Sequence, residues 1–395
     1  MNSNSLCILG RQPLIGLAEL VSLYGSDVQA LGQQAAILNR LPEDINFKRL
    51  GGSLKLCLIR EILPSHVWPD IQSAISNLLS KQIANLPAGK VTLGLSIYND
   101  QITIDQITRI GLSIKQNLRR SGRSIRIVPN VTTQLNSAQI IHNHLTNSHG
   151  IEIVIYRDGQ RTIIAQTITV QNIASYSMRD YNRPKRDARV GMLPPKLAQI
   201  MINLAAGSLP APLTVLDPFC GTGVILQEAL LMGYQAYGSD INSRMIDYTK
   251  QNLAWLRLHF DISNLPEPIL EVKDATSAKW QNNFDIIVSE LLLGPPLTKL
   301  PEDKELELIR HRCDQELAGF LKNIAQQIPP KTRLCLAVPA WQSAEGQFIR
   351  LPSLDHLHLL GYNQPSFVEH FKPAGLIYAR SNQRVARELL IITRN

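Results

Sequence analysis

One segment constrains the fold of this chain more than any other: Leu213-Thr-Val-Leu-Asp217-Pro218-Phe219-Cys220-Gly221-Thr222-Gly223-Val-Ile-Leu-Gln-Glu-Ala-Leu230. An apolar strand ends in an acid, passes through a tight turn with two glycines and enters a helix. In a doubly wound parallel sheet, ligands bind at the carboxyl ends of the strands, where such a turn lies. Gly221 and Gly223 let the backbone approach a ligand closely, because a Cβ there blocks it. A dinucleotide fingerprint needs G-x-G-x-x-G and free N–H groups for a pyrophosphate. Here the leading group is Asp217, whose carboxylate repels phosphate and suits a cationic ligand.

The pattern continues downstream. A strand over 235–239 ends in Asp240, one over 269–273 in Asp274 and one over 284–289 in Glu290. Four successive strands therefore deliver acids to one edge of a sheet. Each acid alone also reads as a cap on the following helix; the four together with the glycine turn read as a ligand site. Pro194-Pro195 opens a helix over 196–204, where a missing N–H costs nothing. A long helix over 304–327, a strand over 333–338 and two strands near 376–380 and 388–393 complete the pattern of an α/β fold.

The 395 residues suffice for two or three domains, and the 44% apolar and 18% charged composition excludes a disordered or fibrous chain. The net charge of +8 is unevenly spread: residues 1–175 carry 16 basic and 10 acidic side chains, residues 176–395 carry 24 and 22. Arg109, Lys115, Arg119, Arg120, Arg123 and Arg126 occur with no acid between 106 and 151. That cluster reads either as a patch for nucleic-acid phosphate or as a solvated helix and turn. The five cysteines are scattered without a C-x-x-C pair, and His142, His144 and His149 read as a polar helix face, so no disulfide framework and no metal is expected. No run of 18 apolar residues occurs, which leads to the expectation of a soluble cytoplasmic protein with no membrane partner.

Residues 1–64 read as a small α+β unit, with strands at 6–9, 35–38 and 54–59 and a helix at 14–24. Residues 65–175 place helices at 71–79, 104–120 and 137–145 among strands at 91–98, 124–128, 152–156 and 161–169. A polar, basic run from Met178 to Gly191 reads as an extended hinge within a linker over 176–192.

On these residues the region from about 190 onward resembles the class I S-adenosylmethionine-dependent methyltransferases. The resemblance implies that the turn from Asp217 through Pro218, Phe219, Cys220, Gly221 and Thr222 to Gly223 lies along the methionine part of the cofactor. It implies that Asp240, with Ile241 beside it, binds the ribose hydroxyls, and that Asp274, with Ala275, reaches the adenine amino group. The Asp-Pro-Phe-x-Gly-x-Gly form is used by methyltransferases that act on exocyclic amino groups of bases. More narrowly, the stretch from Arg183-Pro-Lys185-Arg186 to Asn203-Leu is similar to the THUMP-containing tRNA guanosine N2-methyltransferases, which modify the guanosine at position ten. Leu135-Asn-Ser-Ala-Gln-Ile-Ile and Ala165-Gln-Thr-Ile-Thr-Val-Gln resemble the THUMP module.

The resemblance implies a ferredoxin-like domain (1–64), a THUMP RNA-binding domain (65–175), the linker and an α/β, doubly wound, Rossmann-like methyltransferase domain (193–395). It implies S-adenosyl-L-methionine as cofactor and tRNA, or another structured RNA, as partner. The basic cluster from Arg109 to Arg126 and the linker residues Arg183, Lys185 and Arg186 become the phosphate-contacting surface. After the fourth strand the family carries Asp or Asn, two prolines and an aromatic ring that stacks on the base. This chain has Ser289-Glu290-Leu291-Leu292-Leu293-Gly294-Pro295-Pro296. Glu290, flanked by Ser289, is expected to accept from the target amino group, and Pro295 or Pro296 to stiffen the loop. Trp341 and Phe371 are candidates for the stacking ring, though each reads first as packing. The alternatives are an RNA- and cofactor-binding protein that has lost catalysis, or an amino-methyltransferase acting on rRNA or DNA.

Overall fold

A computed structural model describes residues 4–395 except 120–121, 188–191, 296, 298, 344, 372–374 and 381–382. In chain order the first elements are β1 (Ser5–Leu9), α1 (Pro13–Tyr24), β2 (Val28–Leu31), β3 (Ala35–Leu38), β4 (Ser53–Leu63), α2 (Trp68–Ala84), β5 (Val91–Tyr98), α3 (Ile104–Arg119), β6 (Ile125–Ile127), α4 (Ser137–His142), β7 (Gly150–Asp158), β8 (Arg161–Val170) and α5 (Ile173–Tyr181). They continue with α6 (Pro195–Ala206), β9 (Thr214–Asp217), α7 (Val224–Leu231), β10 (Gln235–Asp240), α8 (Ser243–His259), β11 (Ile269–Val272), β12 (Ile286–Glu290), α9 (Asp303–Ile324), β13 (Arg333–Gln342), β14 (Phe348–Ile349), β15 (Tyr362–Asn363), β16 (Ile377–Tyr378) and β17 (Val385–Arg394).

Contacts divide the chain into two units. The first holds Met1–Pro13, Ser26–Lys48 and Ser53–Ala174; the second holds Leu14–Gly25, Arg49–Gly52 and Ser175–Asn395.

In the first unit one sheet runs β2-β3-β1-β4-β8-β7-β5-β6. The sequence reading places a boundary at residue 64, but β4 pairs with β1 on one side and with β8, from Lys55 opposite Val170 to Leu63 opposite Thr162, on the other. The two regions therefore share a sheet. The reason is the edge of β4: its eleven residues present backbone donors and acceptors that β8 satisfies, and unpaired edges are costly. Helices α2 and α3 bury Ile71, Ile75, Leu79 and Ile107, Ile110, Ile114, Leu118 at helical spacing. Inside the sheet, Lys55 Nζ lies 2.5 Å from Glu152 Oε1, with side chains 2% and 0% exposed, and Ser96 Oγ donates to the same oxygen. Thr167 Oγ1 donates to the second oxygen, so the buried carboxylate has a partner on each side.

In the second unit the strand order is β11-β10-β9-β12-β13-β17-β15, with β14 beside β13 and β16 beside β17. Strands β9 to β13 are parallel, and β17 runs antiparallel to β13 from Arg333 opposite Thr393 to Trp341 opposite Val385. Helix α1 belongs here rather than with its sequence neighbours. Its Ile15 and Ala18 join the apolar core around Leu197, Met201 and Leu204 of α6. Glu19, fully buried, accepts from Gly51 N (2.9 Å), Gly52 N (2.8 Å) and Asn203 Nδ2 (2.7 Å). The expected linker is largely ordered as well. Helix α5 fills its first part, and Arg179 on that helix donates to buried Glu228 at 2.6 Å. Lys185 exchanges backbone hydrogen bonds with the side chain of Asn252 on α8. The extended hinge is thus pinned to the second unit up to Asp187, because Glu228 and Asn252 are buried polar groups that need these partners.

Candidate functional site

Strand order in the second unit reverses between β9 and β12, and ligands of open α/β sheets bind at such a switch point. β9, β10 and β12 end there in Asp217, Asp240 and Glu290, and Asp274 follows β11 two residues on. All four line one cleft of about 690 Å³. Pro218, Phe219, Cys220, Gly221, Thr222, Ile241, Ala275 and Pro295 line it too, as do Leu292, Leu293 and Glu316. Gly223 and Ser289 are expected site residues that do not. Gly223, at φ +80, caps α7, and a Cβ on it would stand 2.7 Å from Thr249 Cγ2, so it serves packing. Ser289 is buried and donates from Oγ to Asp217 Oδ1 at 2.6 Å.

The turn is held from outside. Thr249 Oγ1 and Asn252 Nδ2 on α8 donate to the carbonyls of Gly221 and Thr222 at 2.8 Å, and Asp240 Oδ2 accepts from Gly221 N at 3.0 Å. Asp240 Oδ1 accepts from Asn242 N at 2.8 Å, so both oxygens are fixed by backbone donors. Gly221 adopts φ +51 with open space where a Cβ would be, which leaves room against its backbone. Burial pushes Asp217 up to about 8 against the hydrogen bonds from Ser289 and Phe219 N. It also raises Asp240, and it raises Glu316 despite the hydrogen bond from Leu292 N. The same burial lifts the Cys220 thiol well above its ordinary range, which favours the neutral thiol over the thiolate. Ile241 stands 71% exposed beside Asp240, a large apolar surface at the rim of a polar site.

Residues 211–357 match the family model described as a methyltransferase domain. The sheet order, with its last long strand reversed, agrees with that match. The second unit has the class I methyltransferase fold. Over 182 residues the chain is 31% identical to a tRNA (guanine(10)-N2)-dimethyltransferase of Methanothermobacter thermautotrophicus, covering 45% of this chain and 49% of the relative. Over 140 residues it is 32% identical to the protein of that name from Pyrococcus abyssi, covering 34% and 39%. The chain spans about half or less of the length of these curated relatives. The crystal structure of TrmN from Thermus thermophilus is 15% identical with a TM-score of 0.52 over the whole of both chains, a likeness of fold.

Within the methyltransferase domain the segment after β12 departs from expectation. Glu290 does not stand free in the cleft: one of its oxygens, Oε1, accepts from Arg387 Nε on β17, with side chains 15% and 4% exposed. Burial raises the Glu290 carboxyl and Arg387 pulls it back. No stacking ring comes from Trp341 or Phe371. Trp341, on β13, is wholly buried and Phe371 is buried in the core, so both pack. The walls near Glu290 are Leu291, Leu292 and Leu293, with Pro295 beyond; Pro296 lies outside the described residues. Arg387 was missed by sequence reasoning, since nothing local marks a residue 97 positions from its partner.

The expected RNA-facing residues separate into two groups. In the first unit Lys115, Arg119 and Arg126 line one groove with Lys90, and among the described residues no acid lines it. Arg109 is exposed three residues before Leu112 of the same groove, on the same face of α3. Arg120 lies outside the described residues. Arg123 donates to the carbonyls of Leu86 and Pro87, so its guanidinium is occupied closing the end of α2. In the second unit Arg183 is buried at 3% exposure with Nη2 directed at Met192 Sδ, a correction to its expected phosphate role: its guanidinium has no outward face. Lys185 lies over the ring of Tyr248 and Arg186 over that of Tyr181. Among the described residues there is no group of three His, Cys, Asp or Glu side chains suited to a metal, and no helix is long and apolar enough to cross a membrane.

Proposed function

We propose that this chain transfers a methyl group from S-adenosylmethionine to the exocyclic N2 of a guanosine in tRNA. The observation that carries the reading is the cleft at the switch point, where a glycine turn meets four strand-end acids, Asp217, Asp240, Asp274 and Glu290. The residues fit that cofactor. Asp240, held by two backbone donors, keeps a second lone pair on each oxygen for ribose hydroxyls. Exposed Ile241 offers an apolar surface to a flat base. The bound cofactor supplies an electrophilic methyl group.

The chain's own task is to bring an amino group into line and draw its lone pair out of conjugation with the ring. Glu290 accepts a hydrogen bond from that amino group, while Leu292 and Leu293 flank the base in place of an aromatic ring. The base leaves its stack to enter the cleft. The names of the curated relatives support tRNA as the polymer. The groove of Lys90, Lys115, Arg119 and Arg126 supports a phosphate-holding role for the first unit. In this reading residues 65–175 act as a THUMP module, residues 1–64, apart from the 14–25 and 49–52 that join the second unit, as its ferredoxin-like neighbour, and residues 193–395 as the catalytic domain. A cytoplasmic setting belongs to the same reading.

The test is to incubate the full chain with methyl-labelled S-adenosylmethionine and separate tRNA, rRNA and DNA pools, then to identify labelled nucleosides by mass. N2-methylguanosine in the tRNA pool is expected. Label confined to rRNA or DNA rejects the substrate, and cofactor binding without label in any pool favours a binding protein.

A further inference from the structure

We infer that Arg387 is a positioning residue for Glu290: it fixes one carboxylate oxygen so that the other is presented, ionised, to a hydrogen-bond donor in the cleft. The inference rests on the reading of the cleft as a site of amino-group methylation. Glu290 ends β12 opposite Ala337, while β13 runs on to Gln342. Arg387 pairs with Pro339, two residues beyond Ala337. From there its side chain crosses β13, and Nε meets Glu290 Oε1. The second oxygen, Oε2, takes no hydrogen bond among the described residues, and Glu290 lines the cleft.

The electrostatics give the pair its purpose. Around Glu290 stand Arg387 from β17, buried Asp217 from β9, and across the cleft Asp240, Asp274, Glu316 and Arg312. Burial favours a protonated carboxyl at Glu290. A protonated carboxyl uses one oxygen as a donor and is the weaker acceptor, whereas an ionised one forms charge-assisted bonds to N–H groups. Arg387 supplies the opposing charge at contact distance. Its Nε–H also fixes which oxygen faces the protein, which matters because Glu is one methylene longer than Asp and has one more torsion to restrain.

The experiment compares the full chain with Arg387→Met, Arg387→Gln, Arg387→Lys and Glu290→Gln. Two readouts are taken: the pH profile of kcat with KM for the cofactor, and the ¹³C carboxyl titration of Glu290, assigned by its disappearance in Glu290→Gln. Arg387→Met is expected to move the Glu290 titration and the acid limb of kcat up by at least one pH unit, with cofactor KM within twofold. Arg387→Lys restores most of the shift, and Arg387→Gln, which keeps a donor without charge, does not. A Glu290 titration in the folded Met or Gln variant that coincides with the parent's overturns the inference. If the parent transfers no methyl group, the function fails instead, and the titration alone still decides whether Arg387 holds the charge.

Discussion

Asp217 gives the site a pH signature. Its carboxyl, ordinarily near 3.8, is pushed up to about 8 by burial, so the folded chain holds that proton more tightly than the unfolded chain. The resulting stabilisation is fully present below about 3.8 and is lost as pH rises through about 8. Stability is therefore expected to fall between pH 5 and pH 8. Asp217→Asn, which keeps a carbonyl for the Ser289 and Phe219 donors, flattens that slope; denaturant unfolding at both pH values checks it, and an unchanged slope removes Asp217 as its source. For Asp240→Ala, cofactor affinity measured by calorimetry is expected to drop at least about tenfold, since a hydrogen bond to a charged group contributes about 1.5–3 kcal/mol. These acids were legible because strand, acid and turn are contiguous in the chain. Arg387 was not, because its meeting with Glu290 depends on how far β13 outruns β12. Whether Trp341 stacks on a ligand or packs is not legible locally, because the layers that cover β13 decide which of its side chains are buried.

At the scale of elements, α1 shows how far local pattern reaches. Its helix is legible over 14–24, one residue short of its observed start at Pro13, but its apolar side chains do not say which core receives them. The answer lies in Glu19, whose carboxyl burial pushes up to about 7 against three N–H donors, and in the glycines it faces. A Cβ on Gly51 would meet the backbone oxygen of Lys196 at 2.3 Å, and backbone cannot yield as a side chain does. Gly51→Ala is expected to cost about 1–3 kcal/mol in urea unfolding. Gly319→Ala on α9, whose nearest neighbour is 3.4 Å away, is expected to be neutral or to stabilise by up to about 1 kcal/mol. Equal losses at the two sites would show that the close approach at Gly51 is not what joins these elements. β2 escaped the sequence because it is four residues long with Gln29 and Ala30 exposed, too short to show alternation.

For the whole molecule, the uneven charge has found a location in the first unit. With Lys115 and Arg119 both changed to Ala, RNA binding is expected to weaken and its log–log salt slope to shrink by about one to two, while cofactor affinity stays unchanged. A slope equal to the parent's takes the groove out of the RNA contact. The division into two units was the least legible feature, because it does not follow chain order: residues 14–25 and 49–52 belong with residues 175–395. That arrangement has a consequence during synthesis. Glu19 emerges from the ribosome 184 residues ahead of Asn203, the side chain that receives it. At about 5–20 residues per second, α1 spends roughly 10–40 s without its partner. Through that interval a helix with an apolar face and a carboxyl meant for burial is held in water, where chaperones that read such segments have their opportunity.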